Sequence, residues 1–409
     1  MRRAVLPALA VAAVVGGLGV GMLVGAMSGG GGASPAPGGS GAIAGLGSTP
    51  PSTGPAPEPS ASAEPSPSVP PSGSPPAPPS PTPTPSPSRV PDPLTGRLVT
   101  PAVAARHPIA VMIDDLSPAR PQSGFNSASI VWQAPAEGGI PRYMMIFQER
   151  IPTDVGPVRS SRYYFIAWAA ELHALYAHAG GSPQALQTLR EQGNGQLVWN
   201  ADEFRWGDSF RRISTRFAPH NLYTTGGQLR ALARRVGAKD GPIKWPWTFA
   251  RDASLGWRPV GGTIELLYGD VNLIRYTYDR KTNTYLRAVT GEKRQIDAAT
   301  NRRVAPKNVI VMVVHFGPLN DGHPNKKRLE ADIIGSGPAW IATNGITIKG
   351  TWKKTSLTGP TRFFDAAGKP VTLTIGQTFV QVMKTTDKIT FVKGKPAPPD
   401  PRPLGALPS

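Results

Sequence analysis

Residues 308–314 read NVIVMVV: after Asn308, six apolar positions follow without a charge or a turn residue. A strand with one wet face alternates apolar and polar side chains. A run apolar throughout asks for cover on both faces, as in the middle of a sheet. Outward from it, the sequence between 263 and 393 is built of short alternating or β-branched runs at 263–267, 273–278, 285–289, 346–352, 371–375, 379–382 and 389–392. Residues 279–283 make a hairpin turn, and Asn344-Gly345 and Ala367-Gly368 mark further turns. This half is expected to be mostly antiparallel β, curled into a sandwich or partial barrel.

Upstream, residues 98–244 mix two periods. Strands are predicted at 109–113, 130–133 and 143–147, where apolar runs are bounded by turn residues. Phe165, Trp168, Leu172 and Leu175 recur at helical spacing and predict a helix over 162–176. Ser182 followed by Pro183 predicts a capped start for a second helix, and Thr225 caps a third over 227–236. The fold class is therefore α+β: a mixed α/β domain at 98–244, a linker at 245–262 where Pro, Gly and Trp interrupt every pattern, and a mostly antiparallel β domain at 263–393. Residues 394–409 are expected to be a disordered tail.

Arg2 and Arg3 precede an uncharged apolar run of 24 residues, 4–27. About 20 such residues at 1.5 Å rise cross a hydrocarbon core of about 30 Å. The run is longer than the roughly 7–15 apolar residues of a cleaved signal peptide. It is expected to be a transmembrane helix with its N-terminus cytoplasmic and the rest outside, because the arginines favour the inner side. Residues 28–97 are rich in Pro, Ser, Thr and Gly, and 75–88 read PPAPPSPTPTPSPS. With no apolar surface to offset chain ordering, this segment is expected to be a disordered stalk, stiffened toward polyproline II at about 3.1 Å per residue.

The chain has no cysteine, which excludes disulfides, thiolate metal sites, a cysteine nucleophile and a lipid-modified N-terminal cysteine. Its formal charge is +18. Residues 1–97 hold four arginines (2, 3, 89, 97) against Glu58, Glu64 and Asp92, so +17 belongs to the remainder. Such a field attracts anions. Outside a membrane these are wall polymers and lipid headgroups, and no nucleic acid partner is expected.

Arg120, Arg142, Arg159 and Arg162 recur in turns at predicted strand ends, beside Glu137, His178, His220 and Asn221. Guanidinium groups present paired donors that match carboxylate or phosphate. Ser182 opens a helix whose free amides add a second anion-binding element. These nine residues form the candidate ligand site. No G-x-S-x-G, H-E-x-x-H, P-loop or G-x-G-x-x-G motif is present, so no catalytic residue is assigned, and neither a metal nor a cofactor is expected. The competing reading is a hydrolase or transferase in which His178 or His220 works with Glu137. A third is a module that binds an envelope protein through the loop tryptophans 206, 245, 247 and 257.

Five of these segments, SPARPQSG (117–124), EGGIPR (137–142), GPVRSSR (156–162), HAGGS (178–182) and PHNLY (219–223), resemble the YerB-type family of bacterial lipoproteins. So do YDRKTNTYLR (278–287), PKNVIVM (306–312), GITIKGTWKK (345–354) and GQTFVQV (376–382). The resemblance covers about 105–383 and implies an envelope protein with two adjoining domains. It supplies no catalytic residue. Typical members look attached through an N-terminal cysteine, which this chain lacks, so the resemblance implies that the apolar run at 4–27 takes over anchoring.

Overall fold

The computed structural model describes residues 88–397. The apolar run at 4–27, the stalk to residue 87 and residues 398–409 lie outside the described residues. In chain order the principal strands are β1 (Ile109–Ile113), β2 (Ile130–Ala134), β3 (Arg142–Phe147), β4 (Leu175–His178), β5 (Trp199–Asp202), β6 (Thr263–Tyr268), β7 (Asn272–Asp279), β8 (Thr284–Val289), β9 (Asn308–Val314), β10 (Gly335–Thr343), β11 (Ile346–Lys354), β12 (Arg362–Asp365), β13 (Thr378–Lys384) and β14 (Lys388–Val392). The helices are α1 (Tyr163–Ala170), α2 (Pro183–Gln192) and α3 (Gly226–Val236).

Ten strands make one mixed sheet in the order β12-β11-β10-β9-β13-β2-β3-β1-β4-β5. The apolar strand β9 lies inside it, paired antiparallel with β10 and parallel with β13. Strand β13 in turn pairs parallel with β2, Thr378 against Ile130. The two halves of the sequence therefore share a sheet, in which the second half pairs mostly antiparallel as expected, β9 with β10, β10 with β11 and β11 with β12, while β9 with β13 is parallel. That half also forms a four-stranded antiparallel sheet, β8-β7-β6-β14. The class is mixed, with few helices and a β-rich second half.

Strand alternation assigns the faces. Ala110, Met112, Ile310 and Met312 pack under α1 and α2, where Trp132 and Trp168 stack with ring centroids 4.7 Å apart. Val111, Ile113, Tyr143 and Met145 face α3 on the other side. Further along that side, Val309 and Val311 meet Ile264, Leu266 and Tyr276 of the smaller sheet. Covered on both faces, β9 is buried at all but one position.

The two capping signals hold. Ser182 Oγ accepts from the Ala185 amide, and Thr225 with Gln228 completes a capping box. The helix predicted over 162–176 ends at Ala170. His173 adopts φ 46°, outside the right-handed helical region, and Leu175 onward pairs with β1. Three boundaries also move. Val90–Pro91 pair with Leu98–Val99, and Asp92, Leu94 and Thr95 are buried, so the fold starts inside the expected stalk. In the expected linker Trp247 is buried and Thr248–Ala250 pairs with Thr372–Thr374. Lys395 exchanges two backbone hydrogen bonds with Val260, which ties the start of the expected tail to the fold. No helix among the described residues is long and apolar enough to cross a membrane.

Candidate functional site

Strands β1, β2, β4 and β5 run the same way and end on one edge of the sheet, where the opposed β3 begins. Open sheets collect ligands at the carboxyl ends of their parallel strands. Here β1 leads into Asp114 and Asp115, β4 ends at His178, and β3 opens with Arg142. The turn from β2 to β3 carries Glu137 followed by Gly138 (φ 70°) and Gly139 (φ 72°). Two successive left-handed residues are strained with any side chain but glycine's, which explains the EGG sequence.

Segment 156–162 is clamped on both sides. The Asp114 amide donates to Pro157 O (3.0 Å), Arg159 N to Met112 O (2.9 Å) and Val158 N to Leu222 O (2.7 Å). Opposite, Ala179 N donates to Arg159 O (3.0 Å), Ser161 N to Gly180 O (2.8 Å) and Ser182 N to Ser161 O (3.2 Å). This backbone lattice sets Arg159 and Arg162 beside Arg142.

Arg162 grips Glu137 with Nε and Nη2, both at 2.6 Å. Arg142 donates Nη1 to Ser160 O (2.7 Å) and holds Nη2 3.8 Å from Glu137. Arg159 Nε lies 3.0 Å from Asp114 Oδ2, and His220 Nδ1 lies 2.8 Å from the same oxygen. Burial pushes the Glu137 carboxyl up, but the Arg162 hydrogen bonds and the charges of Arg162 and Arg142 outweigh it and hold the group below its ordinary range. Burial first, then the charge of Arg162 and more weakly that of Arg159, push Arg142 down to about 10 against the pull of Glu137. Three guanidinium groups thus face two carboxylates. Among the described residues, the terminal nitrogens of Arg159 and the Nε and Nη2 of Arg142 have no hydrogen-bond acceptor.

The structure brings together Glu137, Arg142, Arg159 and Arg162, with His220 joined through Asp114. The other candidates lie elsewhere. Arg120 binds Asp115 Oδ1 (2.9 Å) and Thr290 O (2.8 Å), tying its turn to the second half of the chain. His178 is fully buried between Gly180 O and Asn200 Oδ1, each at 2.8 Å. Ser182 is a buried helix cap, and Asn221 links to Arg212 (3.0 Å) and Ile213 O (3.3 Å). Glu137 is engaged by arginines, so the carboxylate at His220 is Asp114. Of the loop tryptophans, Trp247 is buried against Thr361 O, Trp206 lies between Arg205 and Arg235, and Trp257 is exposed.

Sequence reasoning missed a second polar cluster. Asp115 also accepts from Gln133 (2.8 Å) and Asn272 (3.1 Å). Gln133 accepts in turn from Arg287 (2.6 Å), which is fully buried and also bonds Tyr276 OH (2.9 Å) and Gln295. Lys354 Nζ meets Glu171 at 2.8 Å, both side chains buried. Alternation carried the signal in each case: Arg287 falls between the inward Tyr285 and Val289, and Lys354 follows the inward Trp352 by two.

Comparison with known proteins follows the same outline. The model for "Protein of unknown function (DUF3048) N-terminal domain" matches residues 94–239, and the one for its C-terminal domain matches 264–380. The chain is 31% identical over 311 residues to "Putative lipoprotein YerB" of Bacillus subtilis (strain 168), covering 74% of this chain and 88% of that protein. The crystal structure of the YerB protein from Bacillus subtilis superposes with a TM-score of 0.65 at 28% identity, covering 73% of this chain and 98% of the other.

Proposed function

The chain belongs to the YerB-type family defined by the paired DUF3048 domains, and from that premise we propose that it is an extracytoplasmic envelope protein that binds an anionic envelope ligand at Arg142, Arg159 and Arg162. In this reading residues 4–27 anchor it as a single pass with the N-terminus inside, and the proline-rich segment carries the head away from the bilayer. The supporting observation is the set of unpartnered guanidinium nitrogens of Arg142 and Arg159 on the edge where the parallel strands end. Guanidinium forks of this kind match phosphate or carboxylate oxygens in pairs. The ligand class is a phosphate- or carboxylate-bearing wall polymer or a lipid headgroup.

Retention of the intact chain on wall polymer, on peptidoglycan and on anionic vesicles tests this. Salt-sensitive retention on one of them is expected, with a loss of about tenfold or more in the Arg142→Ala/Arg159→Ala double variant. No retention on any, or retention that ignores both arginines, sinks the proposal. A second reading is favoured by the Asp114-oriented His220, whose Nε2 has no hydrogen-bond partner among the described residues. A histidine held this way beside an anion site can serve as a general acid or base. His220→Ala would then keep retention and lose turnover of the retained polymer.

A further inference from the structure

A second concavity lies in the other half of the molecule, on the small antiparallel sheet. It encloses about 610 Å³, within the range of ligand-binding pockets, and its wall is mainly apolar. Trp257, Tyr278 and Tyr285 supply aromatic faces, with Pro259 and Ile346 beside them. The two tyrosines are held by their hydroxyls: Tyr278 OH donates to Asn283 Oδ1 (2.7 Å) and Tyr285 OH accepts from Gly345 N (3.0 Å). Gly345, at φ 77°, leaves no room for a Cβ, which would sit 2.3 Å from the Tyr278 ring. The rim is unusually apolar for solvent: Trp257 is 60% exposed, Val392 57% and Ile346 52%, and Leu255 and Val260 of the same loop are exposed too. Single exposed apolar residues mean little, but several gathered on one cavity mark a binding surface.

The chain itself points to the occupant. Pro396 and Ala397 already form part of the wall, fixed there by the paired bonds between Lys395 and Val260. Twelve residues follow, PPDPRPLGALPS at 398–409, with five prolines and two leucines. Proline-rich segments dock on aromatic grooves because their extended polyproline II form is set before binding and loses little entropy on ordering. We propose that residues 398–409 occupy this aromatic groove in cis, so that the second half of the protein carries a polyproline-binding site covered by a proline-rich segment of the same chain. A segment attached at the groove wall is present at an effective concentration in the mM range, so even a weak intrinsic affinity keeps the groove filled.

Hydrogen exchange of the intact chain against a chain ending at Ala397 tests this. Amides at 345–347 and 392–394 are expected to exchange about threefold or more faster in the shortened chain. A synthetic peptide of residues 398–409 should restore protection with half-effect below about 1 mM, since weaker binding could not hold the segment in cis. The same peptide with its five prolines replaced by alanine should not. Trp257→Ala in the intact chain should reproduce the faster exchange with the melting temperature unchanged, because Trp257 is a surface residue. Equal exchange in the two chains, or a peptide without effect at several mM, overturns the proposal. So does a groove in the intact chain that takes up a peptide of residues 75–88 or an apolar dye as readily as the shortened one.

Discussion

Asp114 and Asp115 follow each other at the end of β1, and their side chains enter two arginine clusters of opposite construction. Asp115 belongs to a sealed network in which Arg120, Gln133 and Asn272 fill its oxygens and Arg287 is wrapped by Tyr276, Gln133 and Gln295. Asp114 faces the strand-end edge, where Arg159 and His220 share one of its oxygens and guanidinium nitrogens are left over. A buried charge with every partner supplied holds a fold together, and one with donors to spare can still accept a ligand. The number of arginines does not distinguish the two clusters. The number of acceptors around them does.

The comparison breaks most readily at Arg287. Arg287→Ala is expected to cost about 3–5 kcal/mol in denaturant unfolding, because Tyr276, Gln133 and Gln295 lose a shared buried partner and Asp115 loses a nearby positive charge. Arg287→Lys should not rescue it, since an ammonium cannot satisfy that planar fork. Arg159→Ala, where Asp114 keeps His220 and the Leu116 amide, should cost roughly 1 kcal/mol and act on ligand retention instead. Equal losses at the two sites would dissolve the distinction.

A similar but smaller effect is expected at the Lys354–Glu171 pair, which joins the first half of the chain to the second. Lys354→Met alone leaves Glu171 buried without its cation and should cost about 3 kcal/mol. Adding Glu171→Leu should recover much of that, because two apolar groups can replace a buried pair that must both be desolvated.

Asp92 sharpens the contrast from the other side, being a buried carboxyl with no cation of its own. Burial, reinforced by the charge of Glu149, pushes it up to about 6 against the hydrogen bonds from Thr95 and the neighbouring amides. The folded state therefore binds this proton more tightly than the unfolded chain does. Its contribution to stability is complete below about pH 4 and is lost as pH rises through about 6. Asp92→Asn should keep the acceptor oxygen used by Leu94 and Thr95, flatten the melting temperature between pH 4 and 7, and stabilise the protein at pH 7 by roughly 1–3 kcal/mol. An unchanged pH profile would contradict this.

Local signals were legible in the sequence and long-range ones were not. The helix starts at Ser182-Pro183 and Thr225 follow from capping by side chains within three residues, so nothing distant could override them. Leu172 and Leu175 carried a helical spacing that the sheet overrode, because pairing with β1 stabilises Leu175–His178 more than another helical turn would. At the edge of the sheet, Glu137, Arg142, Arg159 and Arg162 come together, each lying in a turn or at the first position of the element that follows one. Arg120 sits in the same kind of turn, yet its side chain leaves for Asp115 and Thr290, and no sequence pattern carries that direction.

The sequence by itself determined that NVIVMVV at 308–314 lies inside a sheet, because an apolar strand exposed on either face would forfeit the stabilisation its burial provides. It also determined that the chain has more positive charge than its carboxylates can neutralise. Only the tertiary structure decided that the sheet around β9 is continuous with the one formed by β1 to β5. It likewise decided which arginines are sealed and which stay open. Both depend on β13 lying against β2, a register between residues about 250 apart. Loop closure over that distance is encoded by no neighbouring residues, but by the matching of two buried faces that meet only in the folded chain.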